Sequence, residues 1–277
     1  MGIDRHTAKF LFWARDEGVQ FDRLLTVGRH VLFLSKRELR SLLARRGMPK
    51  TPEELQIIFC EAQGYADSFL RLLGSQEPTS LDASDYEGAT LVHDLNQPVP
   101  NDWKQRYSAV FDGGSLEHVF NFPQAIRNCM EMVKVGGHYL AITPTNNFMG
   151  HGFYQFSPDL FGRVFSTDNG FALEHMIVFE LENSRWYEVM DPAEAMGRVS
   201  LVNRRPTCLG IVARKLAHVE LFTKTPQQSD YVAKWLRGVR VDPAHTQRSP
   251  WYRKFLRRAK KLFVPRFNPR HYRRIEV

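Results

Sequence analysis

Residues 107–144, YSAVFDGGSLEHVFNFPQAIRNCMEMVKVGGHYLAITP, constrain the fold more than any other part of this chain. An apolar run over 107–111 ends at Asp112-Gly113-Gly114, and Ala125, Cys129, Met132 and Val133 then recur at helical spacing. Gly136-Gly137 supplies a helix stop, and residues 138–143 read as a second buried strand. Strand, polar loop, helix, turn and strand in that order form half of a doubly wound α/β sheet. In such open sheets ligands sit outside the carboxyl ends of the strands, so residues 112–118 and 143–147 are where chemistry is expected.

The wording DGGSLEHVFN…VKVGGHYL resembles the later half of class I S-adenosylmethionine-dependent methyltransferases. The resemblance extends over residues 8 to 216. Residues 24–28 (LLTVG) resemble the first strand, 80–83 (SLDA) the end of the second, and 89–96 (ATLVHDLN) the third. Residues 171–179 and 208–215 match the last antiparallel pair. The implied fold is a Rossmann-like, seven-stranded mixed sheet with helices on both faces.

The implied cofactor is S-adenosylmethionine. Asp82 matches the family acid that takes the ribose hydroxyls, a role suited to the paired acceptor oxygens of a carboxylate. Asp94 matches the contact to the adenine amino group, Leu95 the residue packed on the ring, and Asp112 with Gly113 the closure over the methionine portion. The alternative for each carboxylate is a turn or capping residue, and Asp82, followed by Ser84-Asp85, fits it best. The pattern departs from the family at the first loop. Val27-Gly28-Arg29-His30 carries a single glycine where two or three are usual, so either the donor is held in a rebuilt loop with Gly28 and Arg29 among its contacts, or Arg29 and His30 fill the space it once used.

Methyl transfer is chiefly alignment, with a base needed when the acceptor is a hydroxyl. His151 lies in the polar, aromatic, glycine-flanked segment 146–158 after the fifth strand and is the first candidate for base or acceptor-orienting residue; His118 is the second. Asn146, Asn147, Phe153 and Tyr154 in that segment are candidate acceptor contacts. The bland alternative is that both histidines hydrogen-bond loop backbone.

Composition narrows the rest. A chain of 277 residues, 43% hydrophobic, can bury one large core. It has no eighteen-residue apolar run, and its N-terminal FLFW is interrupted at once by charge, so a cytoplasmic protein is expected. The three cysteines lack metal-like spacing, and no HExxH or clustered acidic partner accompanies the ten histidines, so no metal is expected.

Charge is unevenly placed. Residues 251–277 hold ten Lys or Arg against Glu276 alone; subtracting that +9 from the chain's +8 leaves −1 for the other 250 residues. Trp251, Phe255, Ala259 and Phe263 fall on one face, and Arg253, Lys254, Arg257, Arg258, Lys260 and Lys261 fill the flanks, which predicts a basic amphipathic helix up to Pro265. Three readings fit it: an anionic membrane surface, where each basic residue contributes about 1 kcal/mol, a helix docked on the body, or nucleic acid. The last is disfavoured because no recognised nucleic-acid motif accompanies it.

Helices are also predicted over residues 7–19, from a Ser35–Glu38 capping box to Arg46, from Pro52 to about Leu73, and over 227–236. Residues 184–206 form a polar excursion. The expected organisation is a methyltransferase-like domain over 1–216, a linker or peripheral extension over 217–250 and the basic tail over 251–277. The functional expectation is O-methylation of a small molecule or saccharide near a membrane surface. The alternatives are a non-catalytic methyltransferase-like scaffold and a nucleic-acid methyltransferase.

Overall fold

A computed structural model describes residues 2–61, 64–195, 198–236 and 267–277. The strands of its main sheet are β2 (Leu24–Val27), β4 (Thr79–Asp82), β5 (Leu91–Val92), β6 (Tyr107–Asp112), β7 (Val133–Asn146), β8 (Phe171–Glu180), β9 (Trp186–Val189), β10 (Thr207–Lys215) and β11 (Tyr272–Ile275). They lie in the order β11-β9-β8-β10-β7-β6-β2-β4-β5. The run from β5 to β7 is parallel throughout, and β10 enters antiparallel between β7 and β8. A separate ribbon pairs β1 (Gly2–Ile3) with β3 (Val31–Leu32).

The central strands are buried on both faces, and their period of two sends alternate residues into two cores. Leu25, Val110, Tyr139, Ala141 and Ile211 join one core with α5 (Phe122–Met132) and α6 (Pro158–Val164). Leu24, Ala109, Phe111, Leu140 and Val212 join the other, packed against α1 (Arg5–Asp16), α2 (Lys36–Ala44), α3 (Pro52–Glu61) and α4 (Asp67–Arg71). Phe10, Leu11, Phe12 and Ala14 of α1 are all fully buried. Each such large side chain contributes about 1.5–3 kcal/mol relative to exposure.

The doubly wound Rossmann-like architecture is as expected, with four differences. The sheet has nine strands, because part of the 184–206 excursion is β9, and Tyr272–Ile275 at the chain end pairs with it in register Tyr272↔Val189 to Ile275↔Trp186. Residues 272–275 of the supposed tail are therefore an edge strand. The predicted 251–263 helix lies outside the described residues. The helix expected from Pro52 to Leu73 is split into α3 and α4, since the backbone between them serves the first loop: Leu32 N donates to Gly64 O and Ala66 N to His30 O. Helix α5 stops at Met132, short of the Gly-Gly turn, because Val133 already pairs with Tyr107. A short α7 (Ser229–Leu236) matches the 227–236 expectation, and the Ser35–Glu38 capping box is formed.

No helix among the described residues is long and apolar enough to cross a membrane.

Candidate functional site

The strand order reverses between β2 and β6, and a crevice at their carboxyl ends is where a ligand of such a sheet is expected. Here two residues of the first loop engage the protein itself. Arg29 stacks on Tyr65 at 4.0 Å from the ring centroid, pairs with Asp67 at 3.0 Å, and donates to the carbonyls of Glu87 and Gly88. It thereby ties the first loop to α4 and to the loop after β4. His30 is 2% exposed and packs against Phe111 and the backbone of Gly113; its Cε1 leaves no room for a β-carbon there. Burial pushes its imidazole down to about 3.

The expected cofactor acids behave differently from one another. Asp82, half-buried at the end of β4, accepts from the amide of Ala83 at 2.7 Å. Asp94 is exposed and accepts from the Asn96 amide and side chain, an Asx turn that holds its carboxyl below the usual range. Leu95, expected on an adenine ring, is 6% exposed within the core beside β2 and α5. Asp112 is 1% exposed and accepts from Ser115 N at 2.8 Å, Leu116 N at 3.3 Å and the Tyr139 hydroxyl at 3.4 Å. Burial nevertheless pushes its carboxyl up to about 6. Ser115 Oγ donates to Val27 O at 2.6 Å, which sews this loop to the end of β2. Gly28 donates from its backbone to Leu81 O at 2.7 Å.

On the other side of β6 the structure brings together residues that are 34 apart in sequence. The 3-10 turn Leu116–His118 places Glu117 inward, 1% exposed, and His118 outward. The Glu117 carbonyl accepts from Phe153 N at 2.7 Å and Tyr154 N at 3.2 Å, pinning the loop after β7 onto the turn. Gly152 permits that approach, since a β-carbon on it would stand 2.8 Å from the same carbonyl. His151 is thereby held with Nε2 3.6 Å from Glu117 Oε1 and its ring 5.0 Å from that of His118. Burial first, and the Asp112 carboxylate second, push Glu117 up to about 8. Burial and the neighbouring His151 hold His118 below the usual imidazole range.

The remaining candidates frame this cluster. Phe153, largely exposed, meets Phe120 edge-on, and the Tyr154 hydroxyl donates to Phe120 O at 2.6 Å. Asn146 and Asn147 are hydrogen-bonded elsewhere. Both donate to Asn203, whose own amide nitrogen donates to Glu180 and Thr207. Sequence reasoning named both histidines but passed over Glu117, and its expectation that no acid clusters with a histidine is corrected. The signal was the Glu117-His118 dipeptide in a short turn, where one side chain must face inward as its neighbour faces out.

With five parallel strands, then an antiparallel strand set between the last of them and the next, the assignment of the fold is decided by topology. The sheet is wound as in class I methyltransferases. No family model and no curated protein matches the chain. Among solved structures it is similar to a putative methyltransferase from Bacillus halodurans, at 11% identity and a TM-score of 0.41, over 78% of this chain and 100% of that one. It is similar to the putative methyltransferase bound to the Trm112 activator of Haloferax volcanii, at 12% identity and 0.41, over 78% and 92%. A putative S-adenosylmethionine-dependent methyltransferase from Listeria monocytogenes matches at 11% and 0.38, over 75% and 99%. Strand order and strand sense carry the fold.

Proposed function

We propose that the chain is an S-adenosylmethionine-dependent methyltransferase acting on a hydroxyl of a small molecule or saccharide. The observation that carries this reading is the meeting of Glu117, His118 and His151 at the carboxyl ends of β6 and β7, on the same edge of the sheet as Asp82. In this reading Asp82 takes the donor's ribose hydroxyls. His151 stands at the acceptor, as the base that takes the hydroxyl proton or as the group that orients the oxygen. S-adenosylmethionine held there would supply the methyl group for that oxygen and would leave as S-adenosylhomocysteine. The exposed Phe120–Phe153 pair offers an apolar surface for a ring or sugar face. The basic segment 251–263 would hold the enzyme at an anionic membrane; co-sedimentation with vesicles of anionic phospholipid, lost at high salt, tests this part alone.

A second reading has an observation of its own. His30 packs against Phe111 and the Gly113 backbone beside the switch point, and Arg29 is committed to four partners within the protein. A methyltransferase-like scaffold that has given up the donor would look this way.

Calorimetric titration with S-adenosylmethionine and S-adenosylhomocysteine separates the two. Micromolar binding, about −8 kcal/mol, abolished in Asp82→Ala supports the enzyme. Absence of heat and of thermal stabilisation in well-folded protein favours the scaffold.

A further inference from the structure

Among the described residues, Glu117, His118 and His151 each offer one ligand atom, and these atoms all lie within 4.8 Å of one another. Two neutral imidazoles and one carboxylate are the donor set that borderline divalent transition ions prefer, whereas magnesium and calcium favour oxygen alone. The distances discriminate between a mutual hydrogen bond and a shared ion. At 3.6 Å, Glu117 Oε1 and His151 Nε2 are too far apart for a hydrogen bond. Tetrahedral ligand atoms about 2.0–2.2 Å from a zinc ion stand about 3.4 Å from one another. That pair is therefore already at a coordinating span, and the exposed His118 offers a third ligand atom within 4.8 Å of both.

An independent observation concerns Glu117 itself. It is 1% exposed, yet its Oε2 has no hydrogen-bond partner. A buried carboxylate oxygen left this way is costly unless a proton or a cation meets it. Its position is also built rather than incidental. The backbone carbonyl is held by two amides of the 153–154 segment, and Gly114 lets the chain pass where a β-carbon would stand 3.2 Å from Oε1.

We propose that Glu117, His118 and His151 bind one divalent first-row transition cation, such as zinc or iron(II), through three protein ligands, with the remaining positions open toward solvent. The cation site stands whether or not the chain transfers methyl groups. Its use in catalysis rests on the methyltransferase reading: an acceptor hydroxyl would take an open position, become more acidic there and lose its proton to solvent water, with His151 serving as a ligand and not as the base.

The test uses the untagged full chain, stripped with a chelator and titrated with cobalt(II) by visible absorption and with zinc(II) by competition. One ion per chain is expected, with the affinity falling about tenfold or more in each of Glu117→Gln, His118→Ala and His151→Ala. The control His175→Ala, whose partner is Glu188, is expected to leave it unchanged. His118 and His151 are exposed, so their alanine variants should fold, and circular dichroism verifies this. No saturable binding, or binding indifferent to both histidine variants, overturns the site. S-adenosylmethionine titration of His118→Ala is read separately, so loss of the ion and loss of the donor cannot be confused.

Discussion

Cε1 of His30 lies 2.5 Å from the point that a β-carbon on Gly113 would occupy, so the ends of β2 and β6 are packed imidazole against bare backbone. Gly113→Ala is expected to overpack this contact and cost about 1–3 kcal/mol. Replacing His30 by alanine in the same chain should recover part of that loss. Urea unfolding of the single and double variants checks it, and additive losses would refute the direct contact.

His30 also fixes an acid limit. Its folded-state imidazole is pushed down to about 3 by burial, against 6.5 ordinarily. The unfolded chain therefore binds this proton near pH 6.5 while the folded chain refuses it, and stability is lost as pH falls from 6.5 toward 3. The loss from this group should reach about 2 kcal/mol by about pH 5. Denaturation midpoints measured across this range should flatten in His30→Leu; an unchanged slope would place the titration elsewhere.

Lys215 is 2% exposed and donates to the carbonyls of Met130 and Val133, the end of α5. Lys215→Met keeps the length of the stem and removes both donations. A loss of about 2–3 kcal/mol is expected, since two helix-terminal carbonyls lose a charged donor. Thermal unfolding reads it directly.

Asn203 links Asn146 and Asn147 to Glu180 and Thr207 through a single side chain. Asn203→Ala is expected to cost about 1–3 kcal/mol and to raise hydrogen exchange in the 146–156 loop, with the middle of β7 remaining protected. Exchange rising evenly across the sheet would mean that the loop has no separate anchor.

The parts of the molecule legible in the sequence are those set by local rules. The capping box at Ser35 and the β6-to-β7 unit could both be read from neighbouring residues. The missed features depend on distant partners. Tyr272-Arg-Arg-Ile looks like a basic tail because nothing local reveals that Trp186–Val189 offers it an edge to pair with. The helix break near Gly64 is imposed by His30 and Leu32, 34 and 32 residues earlier. Asn146 and Asn147 read as acceptor contacts until Asn203, 57 and 56 residues away, claims their amides. At the rim, a charged residue such as Glu117 is assigned to solvent by default, and only the loop folded over it reverses that assignment.

Arg29 holds the first loop, α4 and the 87–88 backbone with one guanidinium. A ligand that must part those contacts before reaching the Asp82 carboxylate would meet a gate, and its arrival would no longer be limited by collision. In rapid mixing the observed rate would rise with ligand concentration and then level off at the opening rate of the Arg29 clasp. Shortening that one side chain would lift the plateau, so the molecule's tempo of association would be set by a residue that holds the loops and not the ligand.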